Sequence, residues 1–130
     1  MLFETELYRL EYNRDKNRIY FKLMGFWASP TDVPHFVSEW HDVLNHTEKG
    51  FTVLVDAEEM VTPPQEIVEL HETIQKMVLA AGATKRAEIV AKSNISKMTV
   101  QRISSSSGIE LISKRFNNFK EADDWLDSVS

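Results

Sequence analysis

Apolar and polar positions first alternate with a period of two. Tyr8, Leu10 and Tyr12 alternate with Arg9 and Glu11, and Ile19, Phe21 and Leu23 alternate with Tyr20, Lys22 and Met24. That period predicts two strands, and the polar link Asn13-Arg14-Asp15-Lys16-Asn17 predicts that they form a hairpin. The period then changes. Val33, Phe36, Val37, Trp40, Val43 and Leu44 fall at helical spacing, with Ser29, Thr31 and Asp32 as candidate N-caps and Lys49-Gly50 as the stop. Phe51 to Val55 is a continuous apolar run ending at Asp56, the pattern of a strand buried on both faces. Thr62-Pro63-Pro64-Gln65 predicts the start of a second helix capped by Thr62, and Gly82 its end. Arg86 to Lys92 reads as a strand. Ile95, Met98, Arg102 and Ile103 outline a helix that dissolves into the serines of 104–107 and Gly108, and Leu111 to Phe116 reads as the last strand. Asn118 then caps a terminal helix with Phe119, Ala122, Trp125, Leu126 and Val129 inward.

The resulting order, β-β-α-β-α-β-α-β-α, predicts an α/β fold: a five-stranded mixed sheet with an N-terminal hairpin followed by βα units. Strands that alternate with helices run parallel, because each helix returns the chain to the starting edge. Right-handed crossovers that advance in one direction leave the helices mainly on one face. The apolar third strand belongs in the centre. At 130 residues the chain is read as one domain spanning 1–130.

Cysteine is absent, which excludes disulfides, thiolate metal sites and cysteine nucleophiles and fits a reducing compartment. No run of eighteen apolar residues occurs, and the opening Met-Leu-Phe-Glu-Thr-Glu meets an acid where a signal peptide needs a basic and then an apolar segment. A cytoplasmic location is therefore expected. The net charge of −5 averages over blocks: residues 28–84 hold ten acidic and two basic side chains, and residues 85–120 hold two and eight. Neighbouring helices with opposite solvent faces account for this, as would a polarised surface that orients a charged partner. Nucleic acid is not an expected partner of an acidic chain without a basic, aromatic-interleaved helix.

Chemistry-bearing residues form no recognisable motif. His35, His41, His46 and His71 never stand three or four residues apart, so no pair shares a helical face as metal ligands do, and all four read as solvated surface histidines. Asp56, Glu58 and Glu59 cluster after the third strand, and paired carboxylates can do acid–base work when their environments differ. No nucleophile or histidine accompanies them, and no glycine-rich phosphate loop is present. The expectation is of no catalytic residue, no metal and no cofactor, with a hydrolase built on Asp56 as the weakest alternative.

Over nearly its whole length the chain resembles the STAS-type, SpoIIAA-like group, the fold of the anti-sigma-factor antagonists, itself related in shape to lipid-carrying CRAL-TRIO domains. The residues that carry the resemblance are Gly25-Phe26-Trp27, Phe51-Thr52-Val53-Leu54-Val55-Asp56, Arg86-Ala87-Glu88-Ile89-Val90, and Phe116 through Glu121-Ala122 to Trp125-Leu126. The antagonists carry an Asp-Ser pair at the start of the helix after the third strand, where the serine is phosphorylated. This chain has Met60-Val61-Thr62-Pro63-Pro64 there, which departs from that switch.

Ligands of open α/β sheets bind outside the carboxyl ends of the strands. The sequence puts Phe26, Trp27, Met60 and Val61 at that edge, adds Leu2 and Phe3 from an N-terminus expected to begin where the second strand ends, and adds Val68 from the second helix. These seven are the predicted ligand-binding residues. They suggest a non-enzymatic module that holds a small apolar or lipid-like ligand, with weak peripheral membrane association through the same rim. The alternative is a protein-interaction domain in a bacterial regulatory circuit that lacks the phosphoserine switch.

Overall fold

The alternating N-terminal segments form the antiparallel pair β2 (Tyr8–Asn13) and β3 (Arg18–Gly25), with Tyr8 opposite Leu23 and Asn13 opposite Arg18. In the computed structural model, which describes residues 1–128, a third strand precedes them. β1 (Leu2–Glu4) runs back along β2 and places Leu2 opposite Glu11 and Glu4 opposite Arg9. The sheet therefore has six strands rather than the expected five. A three-residue strand shows too little alternation to be read from sequence. Its turn is made by Thr5, whose hydroxyl accepts the N–H groups of Leu7 and Tyr8.

From β3 onward each strand is followed by a helix: α1 (Phe36–His46), β4 (Thr52–Met60), α2 (Gln65–Ala80), β5 (Lys85–Ile89), α3 (Asn94–Ser107), β6 (Ser113–Phe116) and α4 (Phe119–Asp127). β3, β4, β5 and β6 are parallel, and the sheet order follows the chain order. Each step advances in one direction, so right-handed crossovers put α1, α2 and α3 on one face, as expected. α4 packs on the other face, where Ala122 and Leu126 meet Leu54, Ala87 and Ile89. Arg18, almost fully buried, holds that helix through Asp123 at 2.7 Å and Asp127 at 2.9 Å. The N-cap at Asn118 is formed as read, its side chain accepting the Glu121 N–H. Val129 lies outside the described residues.

β4 occupies the interior of the sheet as its apolar run required, but it continues four residues past Asp56. Residues 57–60, beyond the apolar run, are therefore strand. An irregularity in pairing between Lys22 and Met24 absorbs a register shift there and brings Gly25 opposite Met60. The left-handed φ of 71° at Gly25 then turns the chain out of β3.

α3 departs most from its sequence pattern. Ile95 and Met98 are exposed by more than 60%, while Ser96, Thr99, Ser104 and Ser107 are buried beside Val100 and Ile103. The serine run is helical and ends at Gly108, whose φ of 90° makes the left-handed cap. Small hydroxyl residues let α3 lie close to α2, and two of them bond across to it: Ser106 donates to Glu72 and Ser107 to Gln75, whereas the buried Ser104 hydroxyl has no partner. After it, residues 109–112 form a tight 3-10 turn rather than strand, and Leu111 is almost wholly exposed.

Candidate functional site

The face of the sheet under α1–α3 carries the larger core. Tyr8, Leu10, Phe21, Leu23, Val53 and Val55 point into it from the strands, and Phe36, Trp40, Ile67, Ile74 and Val78 from the helices. Within this core lies a cavity of about 40 Å³, bounded below by β3, β4 and Arg86 of β5 and above by Trp40 of α1, by His71, Ile74, Gln75 and Val78 of α2, and by Val100 and Ile103 of α3. One water needs about 10–15 Å³ of such space, so the cavity suits a compact group and is too small for an extended acyl chain.

Its walls are mainly apolar, with four polar side chains among them. Trp40 is 1% exposed, and its indole N–H has no hydrogen-bond partner. Gln75 engages only its Oε1, with the Ser107 hydroxyl. Arg86, 2% exposed, donates through Nη1 alone, to Glu88 Oε1 at 3.0 Å and Ser113 Oγ at 3.3 Å. Glu88 in turn accepts from Arg115 Nε at 3.2 Å, and Arg115 is clasped by Glu110 at 2.7 Å through both terminal nitrogens. This chain of two arginines and two glutamates crosses from β5 to β6 and anchors the polar end of the cavity.

His71 is the fourth. It had been read as a surface histidine, and the structure corrects this: only 6% of it is exposed, and the rings of Trp27, Phe36 and Phe21 surround it at 5.0, 5.9 and 6.5 Å. His35, His41 and His46 are exposed as expected. α2 presents one more face to the core than its main stripe implied, and position 71 lies on it. Burial, with the positive charge of Arg86 adding to it, pushes the His71 pKa from 6.5 down to about 4.

Between these two values the unfolded chain binds a proton that the folded chain refuses, so stability falls as pH drops through this window. A shift of this size corresponds to about 3 kcal/mol. Urea unfolding of the parent is expected to lose about that much between pH 7 and pH 4 relative to His71→Phe. Parallel losses in the two proteins would show that His71 titrates normally.

The seven residues predicted from sequence do not converge. Trp27 is 2% exposed and belongs to the core, its N–H donating to the carbonyls of Leu7 and Met24 at 3.1 and 3.2 Å. Met60 is buried and is the one member of the set that lines the cavity. Val68 is buried on α2 away from it. Phe26 and Val61 are half exposed at the carboxyl edge. Leu2 is half exposed too, but the fold-back of β1 carries it toward the opposite edge, and Phe3 packs against the core from the middle of that strand.

The acidic cluster is engaged in local contacts. Asp56 accepts the Glu58 N–H, and Glu59 pairs with Lys22 at 2.8 Å. Thr62, expected to cap α2, instead bonds the Ser96 hydroxyl at 2.9 Å, and α2 starts after Pro64 with no side-chain cap. Among the described residues no group of three or more metal-ligating side chains converges, and no helix is long and apolar enough to cross a membrane. Compared with protein-family models the sequence matches none, and among curated proteins it has no significant match.

Proposed function

We propose that this chain is a non-enzymatic binding module that holds a compact, largely apolar ligand in the cavity between the sheet and helices α1–α3. The observation that carries the reading is the unpartnered indole N–H of Trp40, 1% exposed, on the wall of a mainly apolar cavity. A buried donor without a partner costs about 1–3 kcal/mol, and a site that tolerates one is suited to an incoming acceptor. The reading keeps the SpoIIAA-like resemblance as its setting, since the related lipid carriers also enclose apolar ligands, but it replaces the lipid-like ligand with a smaller one because of the cavity's volume.

Xenon, a compact apolar atom suited to a cavity of this volume, provides the test. The three indole N–H resonances report on three places: Trp40 on the cavity, Trp27 on the core beside it, and Trp125 of α4 on the far face of the sheet. Titration is expected to move the Trp40 signal saturably, to leave Trp125 in place, and to raise Tm as RT ln(1 + [L]/Kd) requires. A saturated solution that shifts no indole, or all three alike, would remove the reading.

A further inference from the structure

We infer that the outward face of α3, with the loop that leads into it, is a docking surface for an anionic lipid membrane, independent of the cavity. Ile95 is 69% exposed and Met98 64%, although both are residue types that folding usually buries. With Arg102 they stand at i, i+3 and i+7, so the three line one stripe of α3, turned to solvent while Val100 and Ile103 are buried. The stripe continues past the helix. The Thr62 hydroxyl, bonded to that of Ser96 at 2.9 Å, holds the half-exposed Val61 beside the first turn of α3, and the Val61 N–H donates to the Gly25 carbonyl, next to the half-exposed Phe26. Phe26, Val61, Ile95 and Met98 thus follow one another along the carboxyl edge of the sheet.

Charge selects the partner. The chain carries a net −5, yet no acidic residue occurs between Glu88 and Glu110, a span that contains Lys92, Lys97 and Arg102. Among the described residues none of these three cations forms an ion pair. Acids at the margins of the surface have other partners: Glu59 pairs with Lys22, and Glu72 accepts the Ser106 hydroxyl. Glu58, whose carbonyl accepts the Lys92 N–H at 3.4 Å, offsets part of the charge at that end. Free cations on flexible stems, set around apolar side chains that protrude from a convex helix, fit a leaflet of anionic headgroups. The apolar tips enter the interface, and the charges stay at the level of the phosphates. Each cation close to such a leaflet contributes about fivefold in affinity, so the three together favour it about a hundredfold over a neutral one.

Co-sedimentation with vesicles of phosphatidylcholine alone, and of phosphatidylcholine mixed equally with phosphatidylserine, tests the surface at about 0.1 M salt, where charges act over about 10 Å. The parent is expected to sediment with the mixed vesicles and to stay in solution with the neutral ones. Lys92→Glu with Arg102→Glu is expected to lower affinity for the mixed vesicles by at least about tenfold. Arg14→Glu with Lys49→Glu, two exposed sites at the opposite edge of the sheet, makes the same change in net charge and is expected to lower it by less than about threefold. Ile95→Ser with Met98→Ser keeps every charge and is expected to weaken binding by about tenfold or more; the exposure of both side chains predicts a Tm close to the parent's. A parent that remains in solution with both vesicle types would overturn the inference and leave the stripe to a protein partner. Equal sedimentation with neutral vesicles would overturn the role of the cations. Equal losses in the two charge-reversed proteins would show that net charge governs binding and that α3 is not the docking surface.

Discussion

Glu88→Gln is expected to destabilise the fold by about 3–5 kcal/mol, because it leaves a buried arginine charge with no carboxylate beside it. Glu88 is 2% exposed and joins Arg86 at 3.0 Å to Arg115 at 3.2 Å. The two arginines will not suffer equally. Arg115 is more exposed and keeps the two-point clasp of Glu110, whereas Arg86 keeps only the Ser113 hydroxyl. A double variant, Arg86→Met with Glu88→Leu, removes both charges and is expected to recover most of the loss, since a buried ion pair contributes little net stability once its desolvation is counted. Urea denaturation of the two variants, at unchanged m, measures the difference. If Glu88→Gln unfolds within about 1 kcal/mol of the parent, the network is not buried as described.

That network also shows where sequence reading stops. Arg86-Ala87-Glu88-Ile89 was legible as a strand, and the four residues are indeed buried on both faces of β5. In a parallel strand covered on both sides, alternate positions must share a face, so Arg86 and Glu88 were bound to meet under the helices. The signal is two charges at i and i+2 in an interior strand, and it is a weak one because charged residues mostly lie at the surface. Their partner Arg115 comes from β6, 27 residues beyond Glu88, and no local pattern announces a pairing at that distance.

The succession of βα units was readable because each helix and strand repeats one period over many residues, and the three crossovers then follow one rule. Short or hydroxyl-rich segments were not. β1 has three residues, and α3 buries serines and exposes Ile95 and Met98, reversing the usual rule for which face lies inward. The rim of apolar residues was inferred from this frame, and the frame was right about the edge for Phe26 and Val61. It failed for Trp27, whose N–H is bonded to two backbone carbonyls that only tertiary structure brings together. His71 and Trp40 were assigned to surface and core respectively; that they border one cavity depends on the side-by-side placement of α1 and α2.

Trp40 and Trp27 let the two environments be compared directly. Trp40→Ala removes a side chain that is 1% exposed and packs edge-on to Phe21 at 5.2 Å. The loss of burial and the enlarged void together are expected to cost about 3–5 kcal/mol, a large part of the 5–15 kcal/mol typical of a small domain. Phenylalanine separates packing from hydrogen bonding. In Trp40→Phe no protein hydrogen bond is lost, because the indole N–H has none, so only the reduced ring size counts, at about 1 kcal/mol. Trp27→Phe removes a similar area but also strips a donor from the Leu7 and Met24 carbonyls, adding about 1–3 kcal/mol. Unfolding midpoints of the three variants are therefore expected to fall in the order Trp40→Phe, Trp27→Phe, Trp40→Ala, from most to least stable. A Trp40→Phe loss as large as that of Trp27→Phe would mean that the Trp40 N–H already has a partner, and with it would go the acceptor-seeking character of the cavity on which the proposed function depends.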